Sequence, residues 1–107
     1  MPSLRNTQPE LAARIQKYAA ERFMSVADLD SEYLQAAIER TDIFVGSNED
    51  GSSYIHVQWP SGLDTGWETW DGTFEEAKTY VDSSIEGVVD DLRWDQEHVG
   101  PTGWERS

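Results

Sequence analysis

The 107-residue chain has no cysteine, so no disulfide staples the fold and no thiol can join a metal site. That absence fits a reducing compartment, and a cytoplasmic location is expected. Histidine is scarce: His56 and His98 are the only two, too few to make a zinc site the favoured reading. Lysine is limited to Lys17 and Lys78, and eight Lys plus Arg face 21 Asp plus Glu, a formal net charge of −13. Such a surface is repelled by nucleic acid and anionic membranes and attracted to basic protein surfaces. No apolar run approaches the roughly 20 residues of a membrane span. Met1-Pro2-Ser3-Leu4-Arg5 lacks the apolar core of a signal peptide. Gly-X-Ser-X-Gly and Gly-rich phosphate loops are also missing. No cofactor, no metal and no enzymatic activity are expected.

Aromatic residues, by contrast, are plentiful: five Trp, four Tyr and three Phe supply material for a core. The length is that of one domain, with a core over about 8–95 and an irregular tail over 96–107.

Thr7-Gln8-Pro9-Glu10 reads as a helix start, with Thr7 as cap, and Leu11, Ile15, Tyr18 and Arg22 recur at helical spacing. Ser25-Val26-Ala27-Asp28 offers a second start, with a stripe of Val26, Leu29, Tyr33, Ala37 and Ile38 and an end near Arg40 or Thr41. The period then changes. Ile43-Phe44-Val45 is a short strand and Ser47 to Ser52 a turn. Tyr54 to Trp59 alternates cleanly, with Ile55, Val57 and Trp59 on one face. Trp67 to Trp70 reads as a third strand, its two tryptophans on opposite faces. Thr73-Phe74-Glu75-Glu76 is a capping box, behind which Phe74, Ala77, Val81, Ile85, Val88 and Leu92 fall within roughly 80° of arc. Asp95 would return to that buried side, so the helix is expected to stop near Arg93 or Trp94. The fold class expected is α+β: two N-terminal helices, a three-stranded antiparallel sheet and a long C-terminal helix.

Asp64-Thr65-Gly66 spells the catalytic loop of aspartic proteases, whose chemistry needs two carboxylates sharing one proton. Those enzymes are nearly all β, whereas here helix signals stand at both ends, Pro60-Ser61-Gly62 precedes the triplet and Trp67 follows it. A turn is the better reading. Asn48-Glu49-Asp50-Gly51 resembles half of a calcium loop, but alignment on Gly51 puts Gly46 and Val57 at the first and last ligand positions, where neither can coordinate. The second helix carries Asp28, Asp30, Glu32 and Glu39 against Arg40 alone, which excludes a helix-turn-helix contact with DNA.

What remains is acidity with a pattern. Glu75, Asp82, Glu86 and Asp90 lie within roughly 80° of arc, opposite the buried stripe of the last helix. Like charges four residues apart destabilise a helix by a few tenths of a kcal/mol per pair, so a stripe without interleaved Lys or Arg suggests a surface made to meet a basic partner. A solvated face is the competing reading. Asp64, Glu68, Asp71 and Trp70 would extend the partner-binding surface onto the adjoining loop and strand, an exposed Trp beside acids being suited to Arg.

A small, acidic, cysteine-free chain ordered helix, three-stranded sheet, helix from about Glu10 to Trp94 resembles phage-encoded inhibitors of CRISPR nucleases and related anti-restriction proteins. That resemblance is one of type, without a family motif. It implies a non-enzymatic protein that blocks a nucleic-acid-binding complex as a steric plug or nucleic-acid charge mimic, a viral anti-defence factor. Its partner would be the basic surface of that complex, with no direct contact to nucleic acid or membrane. Double-stranded-RNA-binding domains share the element order, but their basic contacts are missing here. The alternative is an adaptor or regulatory interaction domain whose acidity reflects host composition.

Overall fold

A computed structural model describes residues 3–26 and 28–104. Ala27, placed in the expected second helix start, and residues 105–107 of the expected tail lie outside the described residues. The chain runs α1 (Leu4–Thr7), α2 (Pro9–Val26), α3 (Ser31–Arg40), β1 (Asp42–Ser47), β2 (Ser53–Gln58), β3 (Asp64–Trp70), α4 (Phe74–His98) and α5 (Gly100–Trp104). This is the expected α+β order, with one-turn helices added at each end.

Those additions change how the first helix begins. Thr7 belongs to α1, where its Oγ1 donates to the Ser3 carbonyl at 3.2 Å. Pro9 is the first residue of α2, where its missing N–H costs nothing because that donor would have no helical partner. The Thr7–Glu10 capping box is therefore not formed. The buried stripe of α2 is Ala12, Ile15, Ala19 and Phe23, with Leu11 and Tyr18 half-buried beside it. It is rotated toward the alanines, which carry little hydropathy signal but permit close packing.

The second helix starts later than Ser25 suggests. Ser25 Oγ donates to the Arg22 carbonyl within α2 at 2.8 Å, and Val26 stays exposed. Asp30 is the cap of α3, its Oδ1 accepting from the N–H groups of Glu32 and Tyr33 at 2.9 and 3.4 Å. Leu29 before the cap and Leu34 inside the helix are both buried, the placement of a hydrophobic staple.

The sheet is an antiparallel meander in the order β1-β2-β3. Ile43, Ile55 and Val57 face the helices, with Thr65 and Trp67 opposite Val57 and Ile55 on β3. Trp59-Pro60-Ser61-Gly62-Leu63 closes the second hairpin: Gly62 N–H donates to the Trp59 carbonyl at 3.1 Å and Trp59 N–H to that of Leu63 at 2.9 Å. Gly62, at φ 94°, takes the left-handed position that such a three-residue loop requires. The turn is thus complete before Asp64, and Asp64-Thr65-Gly66 is strand, paired with Gln58, Val57 and His56. The reading of that triplet as a turn is corrected.

A β-bulge corrects the tryptophan faces as well. Ser53 pairs with Trp70 and Ile55 with Trp67, so three steps on β3 match two on β2, and the alternation slips by one residue. Both indoles consequently face the helices. Trp67 Nε1 donates to Glu76 Oε1 at 3.0 Å, and Trp70 Nε1 donates to the Thr73 carbonyl at 3.1 Å.

Thr73 caps α4 as expected, its Oγ1 accepting from Glu76 N–H at 3.2 Å, but the expected capping box is not closed: Thr73 N–H donates to Asp71 Oδ1 at 2.9 Å, and Glu76 Oε1 accepts from Trp67 Nε1 instead. The helix does not stop at Arg93. It continues to His98 with Asp95 only 2 % exposed, because Asp95 Oδ2 accepts from Tyr33 Oη at 2.8 Å and from Trp104 Nε1 at 3.0 Å. A buried carboxylate is tolerated when donors meet it. Residues 96–104, expected to be irregular, are helical apart from the junction at Val99, and α5 turns Trp104 back against the Tyr33 ring at 5.4 Å. Among the described residues, no helix is long and apolar enough to cross a membrane.

Candidate functional surface

The outward face of α4 has two electrostatic halves. In the N-terminal half gather three of the chain's eight Lys and Arg residues. Arg14 stacks over the Phe74 ring at 4.1 Å, and Lys78 lies 5.4 Å from that ring and 3.2 Å from Glu75 Oε2. Arg22 Nε sits 3.1 Å from Asp82 Oδ1, which also accepts from Tyr18 Oη at 2.9 Å. Burial, then the bond to Asp82, raises the Tyr18 pKa above its ordinary value. Asp82 is therefore committed to the seam between α2 and α4, and Glu75 has its own cation.

The C-terminal half holds one cation, Arg93, and among the described residues it forms no ion pair with the acids of the stripe. Glu86 and Asp90 are exposed, and among the described residues neither has a cation within 4.0 Å. The same four-residue step continues to Trp94, 59 % exposed, and to His98. Their rings stack at 4.4 Å with an interplanar angle of 13°, and His98 Nδ1 lies 2.8 Å from the Trp94 carbonyl oxygen. The result is a ridge of two unpaired carboxylates leading to an exposed aromatic pair. Sequence spacing placed the acids there. The Trp94–His98 stack was foreshadowed only by its four-residue interval, since the helix was expected to end beforehand.

The remaining expected contacts separate from this ridge. Trp70 is 5 % exposed and belongs to the core, so it cannot meet a partner. Asp71 Oδ1 accepts from Thr73 N–H and Oγ1 at 2.9 and 2.6 Å, bonds that hold its pKa below the usual carboxylate value. It shapes the turn into α4. Asp64 and Glu68 are exposed on β3. Asp64 pairs with Gln58, one step from Val57, so its side chain points to the sheet face away from the helices. The carboxylates of β3 thus face away from the helices, whereas the ridge belongs to the helical layer, so the two do not form one adjoining surface.

That open sheet face carries a shallow concavity of about 680 Å³, lined by Asn48, Asp50, Ser52, Tyr54, His56 and Glu68 among others. Asp50 is held by Ser52, whose N–H and Oγ donate to Oδ1 at 2.9 and 2.6 Å and lower its pKa. The Tyr54 ring lies so close over Gly46 that a Cβ there would run into it. Among the described residues, no group of three or more His, Cys, Asp or Glu side chains is placed to hold a metal ion.

No protein-family model matches the chain, and no curated protein or solved structure does either.

Proposed function

We propose that the chain is a non-enzymatic acidic protein that binds and blocks a nucleic-acid-binding protein or complex, as a steric plug or nucleic-acid charge mimic, in the manner of a viral anti-defence factor of the anti-CRISPR type. The observation that carries this reading is the ridge of α4. Among the described residues Glu86 and Asp90 have no cation in ion-pair range, and they run into a Trp94 that the fold leaves exposed. Unpaired carboxylates spaced along a helix offer a basic channel what a phosphate backbone would offer it. An exposed Trp supplies the aromatic anchor on which binding energy concentrates, with an Arg face as its natural counterpart.

The second reading, an adaptor domain whose acidity follows host composition, is favoured by a different observation. Several acids do local structural work, Asp30 and Asp71 in helix starts and Asp50 in a hairpin turn.

The test is affinity purification from cells carrying candidate nucleases, followed by binding of the recovered partner across a salt series. Changing both Glu86 and Asp90 to Lys is expected to weaken binding tenfold or more, about 1.4 kcal/mol, and to flatten its salt dependence. Asp82 is left intact because its loss would also cut the tie to Tyr18 and Arg22. Unchanged binding by the double variant would reduce the ridge to a solvated face.

A further inference from the structure

The two edges of the sheet differ. Along β1, Ser3 forms an antiparallel bridge with Phe44, and Arg5 Nη2 donates to the carbonyls of Glu39 and Thr41 at 2.9 and 2.7 Å. The N-terminal segment therefore covers that edge. Among the described residues, β3 has β2 as its single neighbour. The hairpin bond from Trp59 N–H to the Leu63 carbonyl sets the phase of the ladder, in which bonded pairs alternate. Thr65 and Trp67 accordingly turn their backbone groups toward Val57 and Ile55, while Asp64 and Gly66 turn theirs outward. Among the described residues, no backbone bond reaches these outward groups. An unpaired row of N–H and C=O groups is a template for another strand.

The side chains beside this row state which strand fits. Asp64 and Glu68 are exposed on the open sheet face, with Gly66 between them. A Cβ at Gly66 would meet only the Ile55 carbonyl oxygen at 3.5 Å and His56 Cδ2 at 3.9 Å. The missing side chain leaves a notch that opens onto His56 and Tyr54 and the concavity they line. That concavity contains the carboxylates of Asp50 and Glu68 and no Lys or Arg. Acids at the rim and rings on the floor match a long cationic side chain, and the flat guanidinium suits both. A second copy of this chain matches poorly. Antiparallel pairing of β3 with itself about Gly66 would set Asp64 against Glu68 twice and join two bodies of formal charge −13.

We infer that the free edge of β3 accepts an extended, arginine-bearing segment of a partner protein as a fourth strand, with one arginine laid through the Gly66 notch between Asp64 and Glu68 onto Tyr54 and His56. This surface shares no residue with the α4 ridge and stands whether or not that ridge binds.

The test is a titration of the full chain, followed by amide NMR, with a capped octapeptide of alternating Thr and Arg. The largest changes are expected at Asp64, Gly66, Glu68 and His56, with Glu86 to His98 unmoved. N-methylating the peptide amides that face β3 is expected to weaken binding about tenfold, roughly the loss of two backbone hydrogen bonds. Gly66→Val, which fills the notch, should weaken the Arg peptide and leave an alternating Thr and Val peptide unaffected. If that variant does not fold, Asp64→Asn combined with Glu68→Gln, both at exposed positions, asks the same question. The inference is overturned if the N-methylated peptide binds equally well, if the changes map to Glu86, Asp90 and Trp94, or if nothing binds at about 1 mM peptide, the range of the weakest specific contacts. It is also overturned if the chain alone sediments as a dimer with the Asp64 and Gly66 amides protected from exchange, which would seat a second copy on that edge.

Discussion

Asp95 is a carboxylate where helix periodicity asks for an apolar side chain, and the fold answers with donors rather than by ending the helix. Tyr33, 62 residues earlier, and Trp104, nine residues later, both donate to Oδ2. The periodicity itself correctly put residue 95 on the buried side. What local reasoning missed is that partners so far away in sequence could satisfy the charge, since nothing around Asp95 announces them. The same network makes Tyr33 a reporter. Burial first, and then donation to Asp95, push its pKa well above the ordinary tyrosine value. A pKa higher in the folded than in the unfolded chain gives stability that is complete below the unfolded value, about 10, and drains away as pH rises beyond it. Thermal melts should therefore show a steep alkaline loss of stability in the native protein and a shallower one in Tyr33→Phe. At neutral pH that variant should be less stable by about 1–3 kcal/mol, the cost of leaving a buried acceptor one donor short.

Among the elements, those with a local signature were legible and those set by pairing were not. The Thr73 cap and the alternation of Ile55, Val57 and Trp59 survive intact because each depends on residues within one turn or one strand. The bulge in β3 leaves no mark in the sequence, because it is a relation between Trp67–Trp70 and Ser53–Ile55. Strict alternation therefore makes Trp70 an interface residue, whereas the bulge places it in the core. The α4 stripe was legible as a pattern of acids, but not the fact that Arg22, from another helix, occupies Asp82. One property of α4 remains open to direct test. Gly87 lies exposed in mid-helix, and a Cβ there would meet nothing within 4 Å. Gly87→Ala should stabilise the chain by about 0.5–1 kcal/mol, the propensity difference at an unconstrained helical site, as measured by denaturant unfolding with an unchanged slope.

For the molecule as a whole, the formal charge of −13 is distributed unevenly. Arg14, Arg22 and Lys78 are drawn to the seam where α4 meets α2, and among the described residues no ion pair reaches Glu86 and Asp90 of α4 or Asp64 and Glu68 of β3. Self-repulsion of that size opposes the compact state and is screened by salt. The melting temperature should rise between low ionic strength and about 0.15 M, where the screening length falls to about 8 Å, and then level off. A continuing requirement for molar salt would instead favour the host-composition reading of the acidity. The seam also governs how the chain reaches its folded state. Tyr18 and Asp82 stand 64 positions apart, with the whole meander between them. Each hairpin can close over a short loop, but pairing α2 with α4 must close the long one, whose entropy is lost before its contacts form. The sheet can thus assemble on local information, and docking of α4 against α2 is expected to be the slow step, which substitutions at the Tyr18–Asp82 seam should report as a change in refolding rate.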